Sequence, residues 1–148
     1  MRILVIAIVV LGLGGTARAD PIGIGVFIGE PTGLDIKIGF QRRSALDIVI
    51  GETSLRDGRV SYAHFTYLYT LAVARGDSVL VPLRLGIGGW AAGLTEDGEA
   101  LGARVPFEIG LRFRRSPLEI YGEITFVLQL VHDVNDDIDG GIGLRVYF

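Results

Sequence analysis

The sequence predicts an all-β chain: an eight-stranded antiparallel up-and-down transmembrane β-barrel preceded by a cleavable signal peptide. Three observations predict it. Apolar residues alternate with polar residues or glycine over most of the chain, the period-2 mark of strands with two unlike faces. Helix-period stretches are absent, and glycine is abundant, with 22 residues. The first residues read as a secretory leader, and the mean hydropathy is +0.46. Yet no later apolar run is long enough to cross a membrane as a helix.

The leader is expected to occupy residues 1–19. Arg2 supplies a positive start, Ile3 to Gly15 is an apolar run broken only by glycines, and Ala17-Arg18-Ala19 offers the small residues a signal peptidase accepts. The apolar run is too short to anchor the chain as a spanning helix, which needs about 20 residues. Cleavage after Ala19 leaves one domain over residues 20–148. Arg2 and Arg18 leave with the leader, so twelve basic residues face seventeen acidic ones, a formal charge of −5. Such a balance argues against nucleic acid as a partner. The chain has no cysteine, hence no disulfide framework, thiolate metal site or lipoprotein acylation site.

The strands follow in order. The first, about 21–29, sets Ile22, Ile24, Val26 and Ile28 against Gly23, Gly25, Phe27 and Gly29. Glu30-Pro31-Thr32 turns the chain into the second, about 33–41, with Leu34, Ile36, Ile38 and Phe40 against Asp35, Lys37, Gly39 and Gln41. The third, about 45–52, opposes Leu46, Ile48 and Ile50 to Asp47, Val49 and Gly51. The fourth, about 59–70, is read with Ala63, Phe65, Tyr67 and Tyr69 on the apolar face and His64 and Thr66 on the other. The fifth, about 78–89, sets Val79, Val81, Leu83, Leu85 and Ile87 against Leu80, Pro82, Arg84, Gly86 and Gly88. The sixth, about 101–113, alternates most strictly, with Arg104, Glu108 and Arg112 opposite Val105, Phe107, Ile109 and Leu111. The seventh, about 118–130, carries Glu119, Tyr121, Glu123 and Thr125 opposite Ile120, Ile124 and Phe126. The eighth, about 140–148, carries Arg145 and Tyr147 opposite Ile142, Leu144, Val146 and Phe148. Eight strands suit the length, since a tilted membrane strand needs about 9–11 residues.

Alternation alone does not say which face points inward. A soluble lipocalin-like barrel turns its apolar face around a ligand; a membrane barrel turns it to lipid. The polar face holds Asp35, Asp47, Glu108, Glu119 and Glu123 with Lys37, Arg84, Arg104, Arg112 and Arg145. Five acids and five bases predict paired ions that close a narrow lumen, because a lone charge there costs several kcal/mol. Many glycines share that face, which fits an interior where long side chains need room. The connections differ as well. Those at 42–44, 71–77 and 114–117 are rich in arginine and read as periplasmic turns. Those at 30–32, 52–58, 90–100 and 131–139 are mainly acidic, mostly longer, and read as extracellular loops.

The last strand presents Gly143, Val146 and the terminal aromatic Phe148. This pattern resembles the signal read by the barrel-assembly machinery of Gram-negative-type bacteria, although Gly141 replaces the usual polar residue. The whole of residues 20–148 resembles small eight-stranded outer-membrane barrels of the outer-membrane protein A/X type. Gly29-Glu30-Pro31-Thr32-Gly33-Leu34, Gly86-Ile87-Gly88-Gly89 and the stretch Gly140 to Phe148 resemble a family of uncharacterised small bacterial barrels. The resemblance implies a fold and an outer-membrane location, and it brings no catalytic residues.

Other chemistry is thinly represented. Asp133, Asn135, Asp137 and Asp139 alternate like calcium-loop ligands, but Ile138 stands where that loop needs glycine and Leu144 where it needs glutamate. The segment therefore reads as a solvated acidic loop, and no metal or cofactor is expected. An outer-membrane lipid enzyme would need His64 or His132 beside a nucleophile. Ser61 lies on the opposite face from His64, and His132 has only Asp133 beside it. Gly86-Ile87-Gly88-Gly89 is followed by no helix and so is no phosphate loop. The sequence thus predicts a non-enzymatic barrel with a structural or surface-interaction role. Its expected partners are outer-membrane lipid, the assembly machinery and an extracellular ligand held by loops. A soluble periplasmic barrel binding an apolar ligand is the alternative, and a lipid-modifying enzyme the third reading.

Overall fold

The computed structural model describes residues 22–55, 58–93, 99–131 and 134–148. The expected leader and its cleavage site lie outside the described residues. Eight strands form: β1 (Ile22–Gly29), β2 (Thr32–Gly39), β3 (Ser44–Leu55), β4 (Gly58–Arg75), β5 (Val79–Ala92), β6 (Ala100–Phe113), β7 (Leu118–Gln129) and β8 (Asn135–Tyr147). Each pairs antiparallel with its neighbours in sequence, and β8 closes on β1 from Gly23↔Tyr147 to Gly29↔Gly141. Closure leaves no sheet edge around the barrel wall, so the ladder satisfies the backbone without help from solvent.

The two ends of the barrel are distinct. The proximal end holds the start of β1, the end of β8 and the connections at 40–43, 76–78 and 114–117. The distal end holds those at 30–31, 56–57, 93–99 and 130–134. At the distal end Thr32 Oγ1 donates to the Gly29 carbonyl at 2.9 Å and accepts from its amide at 3.2 Å, which braces the β1–β2 turn. Gly93 leaves β5 at φ +70°, in the left-handed region that glycine enters without penalty, and its amide donates to the Ser61 carbonyl at 2.8 Å.

The apolar parity points outward on every strand. Ile28, Leu34, Phe65, Ile87, Ile124 and Ile142 are each 60–66% exposed. Register neighbours such as Val26–Leu34, Leu34–Ile50, Tyr67–Ile87, Phe107–Ile124 and Ile120–Leu144 carry the belt round the wall. The fourth strand has the expected register: His64 and Thr66 are buried inward while Phe65, Tyr67 and Tyr69 stand outward.

Several strands outrun their expected ends. The expected turn at 71–77 is mostly strand, because β4 continues to Arg75 and pairs Ala72↔Leu83 through Arg75↔Leu80. Its apolar run holds turn-forming residues only at Gly76-Asp77-Ser78, where the Gly76 amide donates to the Val79 carbonyl at 2.9 Å. A bulge at Leu71 absorbs the change of register. At the distal end, most of the loop expected at 52–58 is strand, since β3 and β4 pair as far as Leu55↔Gly58. Trp90, expected in a loop, lies on β5. The acidic segment expected as a loop joins β8, with Asn135, Asp137 and Asp139 opposite Gln129, Val127 and Thr125. Backbone pairing continues past the apolar belt, where polar side chains on a strand remain solvated. Among the described residues the expected contrast between short proximal turns and long distal loops is therefore weak.

Candidate functional site

The inward parity gathers the charged residues on the barrel axis. Asp35, Lys37, Asp47, Arg84, Arg104, Glu108, Glu119, Glu123 and Arg145 are all buried, and Arg112 is half-buried near the proximal end. They are not arranged as isolated pairs. Arg145 is the hub: its Nε donates to Asp35 at 2.6 Å, its Nη2 to Asp47 at 2.7 Å, and its Nη1 reaches Glu108 at 3.1 Å and Glu119 at 3.4 Å. The guanidinium lies 3.7 Å from the centroid of the Tyr121 ring. A planar fork with five donors suits this position; a lysine could not meet four carboxylates at once.

Arg84 forms the second node, donating to Glu108 and to Glu119, the latter at 2.7 and 3.0 Å. Arg104 forms a third, towards the distal end. It donates to Glu123, to Thr66 at 2.8 Å and to Thr125 at 3.0 Å, and its Nη1 lies 2.6 Å from His64 Nε2. His64 also lies 3.4 Å from Asp47 and 3.2 Å from the Tyr62 hydroxyl. Its ring is thus engaged at both nitrogens inside the lumen, away from the apolar outer wall. Lys37 differs from the arginines: its Nζ donates to the Tyr147 hydroxyl at 3.2 Å, which donates in turn to Glu119 at 2.9 Å.

Aromatic residues complete the network. Tyr121 donates to Asp35, and Tyr147 links Lys37 to Glu119. Their inward parity, shared with Glu119 and Arg145, was the signal that they belong to the charge network. Thr66, Thr125 and His64 enter on the same parity. Above these layers Tyr62, Trp90, Ala92, Ala100 and Val127 form a buried apolar cluster that covers the distal side, with Leu55 and Val60 against it.

Outside the lumen, Glu30 is held at the distal rim. Glu30 accepts from the Ser54 amide at 2.8 Å, the Ser54 hydroxyl at 2.9 Å and the Thr53 hydroxyl at 3.0 Å, with Arg59 3.8 Å away. Partial burial pushes its carboxyl up, but these hydrogen bonds and Arg59 outweigh burial and hold it below the ordinary range. The contact ties the β1–β2 turn to the β3–β4 hairpin.

The residues of the expected assembly signal lie on or next to β8. Gly143 faces the Tyr121 ring, Val146 pairs with Ile24 and Leu118, and the Phe148 amide donates to the Ile22 carbonyl at 2.9 Å. The calcium candidates Asn135, Asp137 and Asp139 occupy alternate positions of a strand, not a ligand-wrapping loop, while His132 and Asp133 lie outside the described residues. Among the described residues no three His, Asp or Glu side chains gather in a metal-binding arrangement.

Among the described residues charge lies inside and aliphatic and aromatic groups lie outside, the reverse of a lipocalin-like barrel. Comparison with solved structures agrees on the architecture. The chain is similar to the N-terminal β-barrel domain of Pseudomonas aeruginosa OprF, with a TM-score of 0.65 and 13% identity, over 88% of this chain and 100% of that one. The likeness is one of fold. No protein-family model matches the sequence, and no curated protein matches it.

Proposed function

We propose that the chain is a small outer-membrane barrel, exported by its leader and cleaved after Ala19. In this reading its closed, salt-bridged lumen serves rigidity and its distal rim meets partners outside the cell. The inverted polarity carries the proposal: residues such as Ile28, Ile87 and Ile124 are about two-thirds exposed while Arg145, Glu108 and Glu119 are fully buried. Soluble monomers seldom expose an apolar patch beyond roughly 300–600 Å², whereas this belt runs round the whole wall. Lipid is the solvent that makes such a surface favourable. The proximal end, with Arg42, Arg43, Arg75, Arg114 and Arg115 in or beside its turns, then faces the periplasm. The distal end, with exposed Glu52, Glu99, Asp136 and Asp137, faces outward.

The lumen supports a structural role. An eight-stranded barrel is just wide enough for side chains to fill, and here they do so in hydrogen-bonded layers. His64 is held among Tyr62, Asp47 and Arg104 on the inward face, which favours a non-enzymatic reading. Gly143, Val146 and Phe148 are read as the contact for the assembly machinery.

Fractionation and gel mobility test the proposal. The chain should appear in the outer-membrane fraction and migrate differently on SDS gels before and after boiling. In planar bilayers it should give no steady conductance. Recovery as a soluble periplasmic protein without detergent would overturn the location, and a stable open channel would overturn the closed lumen.

A further inference from the structure

On its distal side the lumen holds the buried apolar cluster of Tyr62, Trp90, Ala92, Ala100 and Val127; its proximal side differs. A cavity of about 400 Å³ opens at the proximal end, within the size range of small-molecule sites. Lys37, Arg42, Arg43, Arg84 and Arg112 line it together with Tyr147, and no carboxylate does. The five bases come from β2, the β2–β3 turn, β5 and β6, so the register of the barrel, not a local sequence run, brings them together.

We infer that this mouth is a binding site for a phosphate-type oxyanion. Several cations around one partly enclosed cavity repel one another, and the low-dielectric wall strengthens that repulsion. A multivalent anion relieves it. The groups present suit a tetrahedral oxyanion: Lys37 supplies a point charge on the wall, and Arg42, Arg43 and Arg112 supply guanidinium forks. Arg112 is braced by the Tyr147 ring, 4.0 Å from its centroid, and the same tyrosine hydroxyl accepts from Lys37. Tyr147 thus holds two of the cations in place before an anion arrives, which lowers the cost of ordering them. Arg84 is committed to Glu108 and Glu119 and closes the floor. The volume accommodates a diphosphate with a small organic group attached. The anion could be a soluble phosphate ester or a phospholipid headgroup; the recognising chemistry is the same.

The test uses the full chain without its leader, refolded in zwitterionic detergent and titrated with inorganic pyrophosphate at physiological ionic strength. We expect saturable one-to-one binding. Arg112→Ala, and separately Arg42→Ala combined with Arg43→Ala, should each weaken it about tenfold or more, the loss of one or two charge-assisted hydrogen bonds. Boiling-dependent gel mobility reports that each variant is folded, and Lys37→Gln provides a milder internal variant should an arginine variant fail to fold. Arg59→Ala, at the opposite end, should leave binding unchanged. Absence of saturable binding, or equal weakening by Arg59→Ala, would overturn the site. A parallel titration with short-chain phosphatidylglycerol and phosphatidylcholine separates the sources. Phosphatidylglycerol binding displaced by pyrophosphate points to a lipid headgroup; pyrophosphate binding alone points to a soluble ester; either supports the oxyanion site.

Discussion

Replacement of Arg145 by methionine is the severest test of the lumen. The side chain is fully buried and serves Asp35, Asp47, Glu108 and Glu119. Methionine keeps much of the volume and removes the charge and every donor. Breaking a buried ion pair by removing one partner costs about 3–5 kcal/mol, because the other charge stays buried without compensation. Arg84 still serves Glu108 and Glu119, but Asp35 is left with Tyr121, Asp47 with His64, and the two carboxyls face each other without Arg145 between them. The upper part of that range therefore applies. At a urea slope of ~2 kcal/mol per molar, a loss of ~4 kcal/mol lowers the unfolding midpoint by about 2 M. Trp90 is the sole tryptophan and is buried in the distal cluster, so its fluorescence reports unfolding in vesicles. Adding Glu108→Gln to the variant should cost less than the sum of the single changes, with a coupling of ~0.5–3 kcal/mol. A midpoint for Arg145→Met within about 0.5 M of the parent, with the slope unchanged, would refute a stabilising role for the network.

Three further outcomes are expected. A Cβ at Gly143 would stand 2.1 Å from the Tyr121 ring, so Gly143→Ala should cost about 1–3 kcal/mol in refolding without assembly factors. Gly122→Ala, whose nearest contact is at 4.0 Å, should be neutral or slightly stabilising; equal effects at the two sites would remove the packing explanation. Ile124→Arg should cost about 2–4 kcal/mol in vesicles if the belt lies in lipid, and an indifferent response there would count against the membrane reading. Glu30 has a lowered carboxyl pKa, so its contribution is full above the ordinary carboxylate range and disappears as pH falls through the lowered value. Glu30→Gln should therefore be less stable than the parent at neutral pH and converge with it in acid. A stability gap that stays constant with pH would disprove the assignment.

The wall was legible in the sequence because period 2 fixes the face of every residue once strand register is known. Parity alone put Arg104, Glu108 and Arg145 on one face and Phe107, Leu111 and Leu144 on the other. The direction of that face needed a second consideration, and glycine supplied it: Gly143, Gly141 and Gly102 share the charged parity. Strand ends were less legible. The polar stretch Asn135 to Asp139 and the apolar stretch Leu71 to Arg75 were both expected outside the strands and both are paired, since pairing to a neighbour decides where a strand stops. The partners within the lumen were not legible at all. Asp35 and Arg145 are 110 residues apart, and only the closure of β8 on β1 brings them together.

The glycines and aromatics of the interior form one device with the charges. A Cβ on Gly143 would strike Tyr121, one on Gly102 would strike Trp90, and one on Gly23 would meet Tyr147. Each of these pairs is a direct cross-strand neighbour. A ring can therefore lie flat across the bare backbone opposite, filling the narrow interior without forcing the wall apart. Two of the three rings carry hydroxyls that join the ion network, Tyr121 at Asp35 and Tyr147 between Lys37 and Glu119. Trp90 instead donates to the Ala103 carbonyl at 3.2 Å and packs against Tyr62, so the distal layer is apolar. The order of aromatic partners along the axis thus follows the polarity of the interior: apolar on the distal side, ionic at the centre, and basic at the proximal mouth. A small anion bound at the proposed proximal site would therefore meet Lys37 and Arg112, which line the cavity, ahead of the carboxylates behind them.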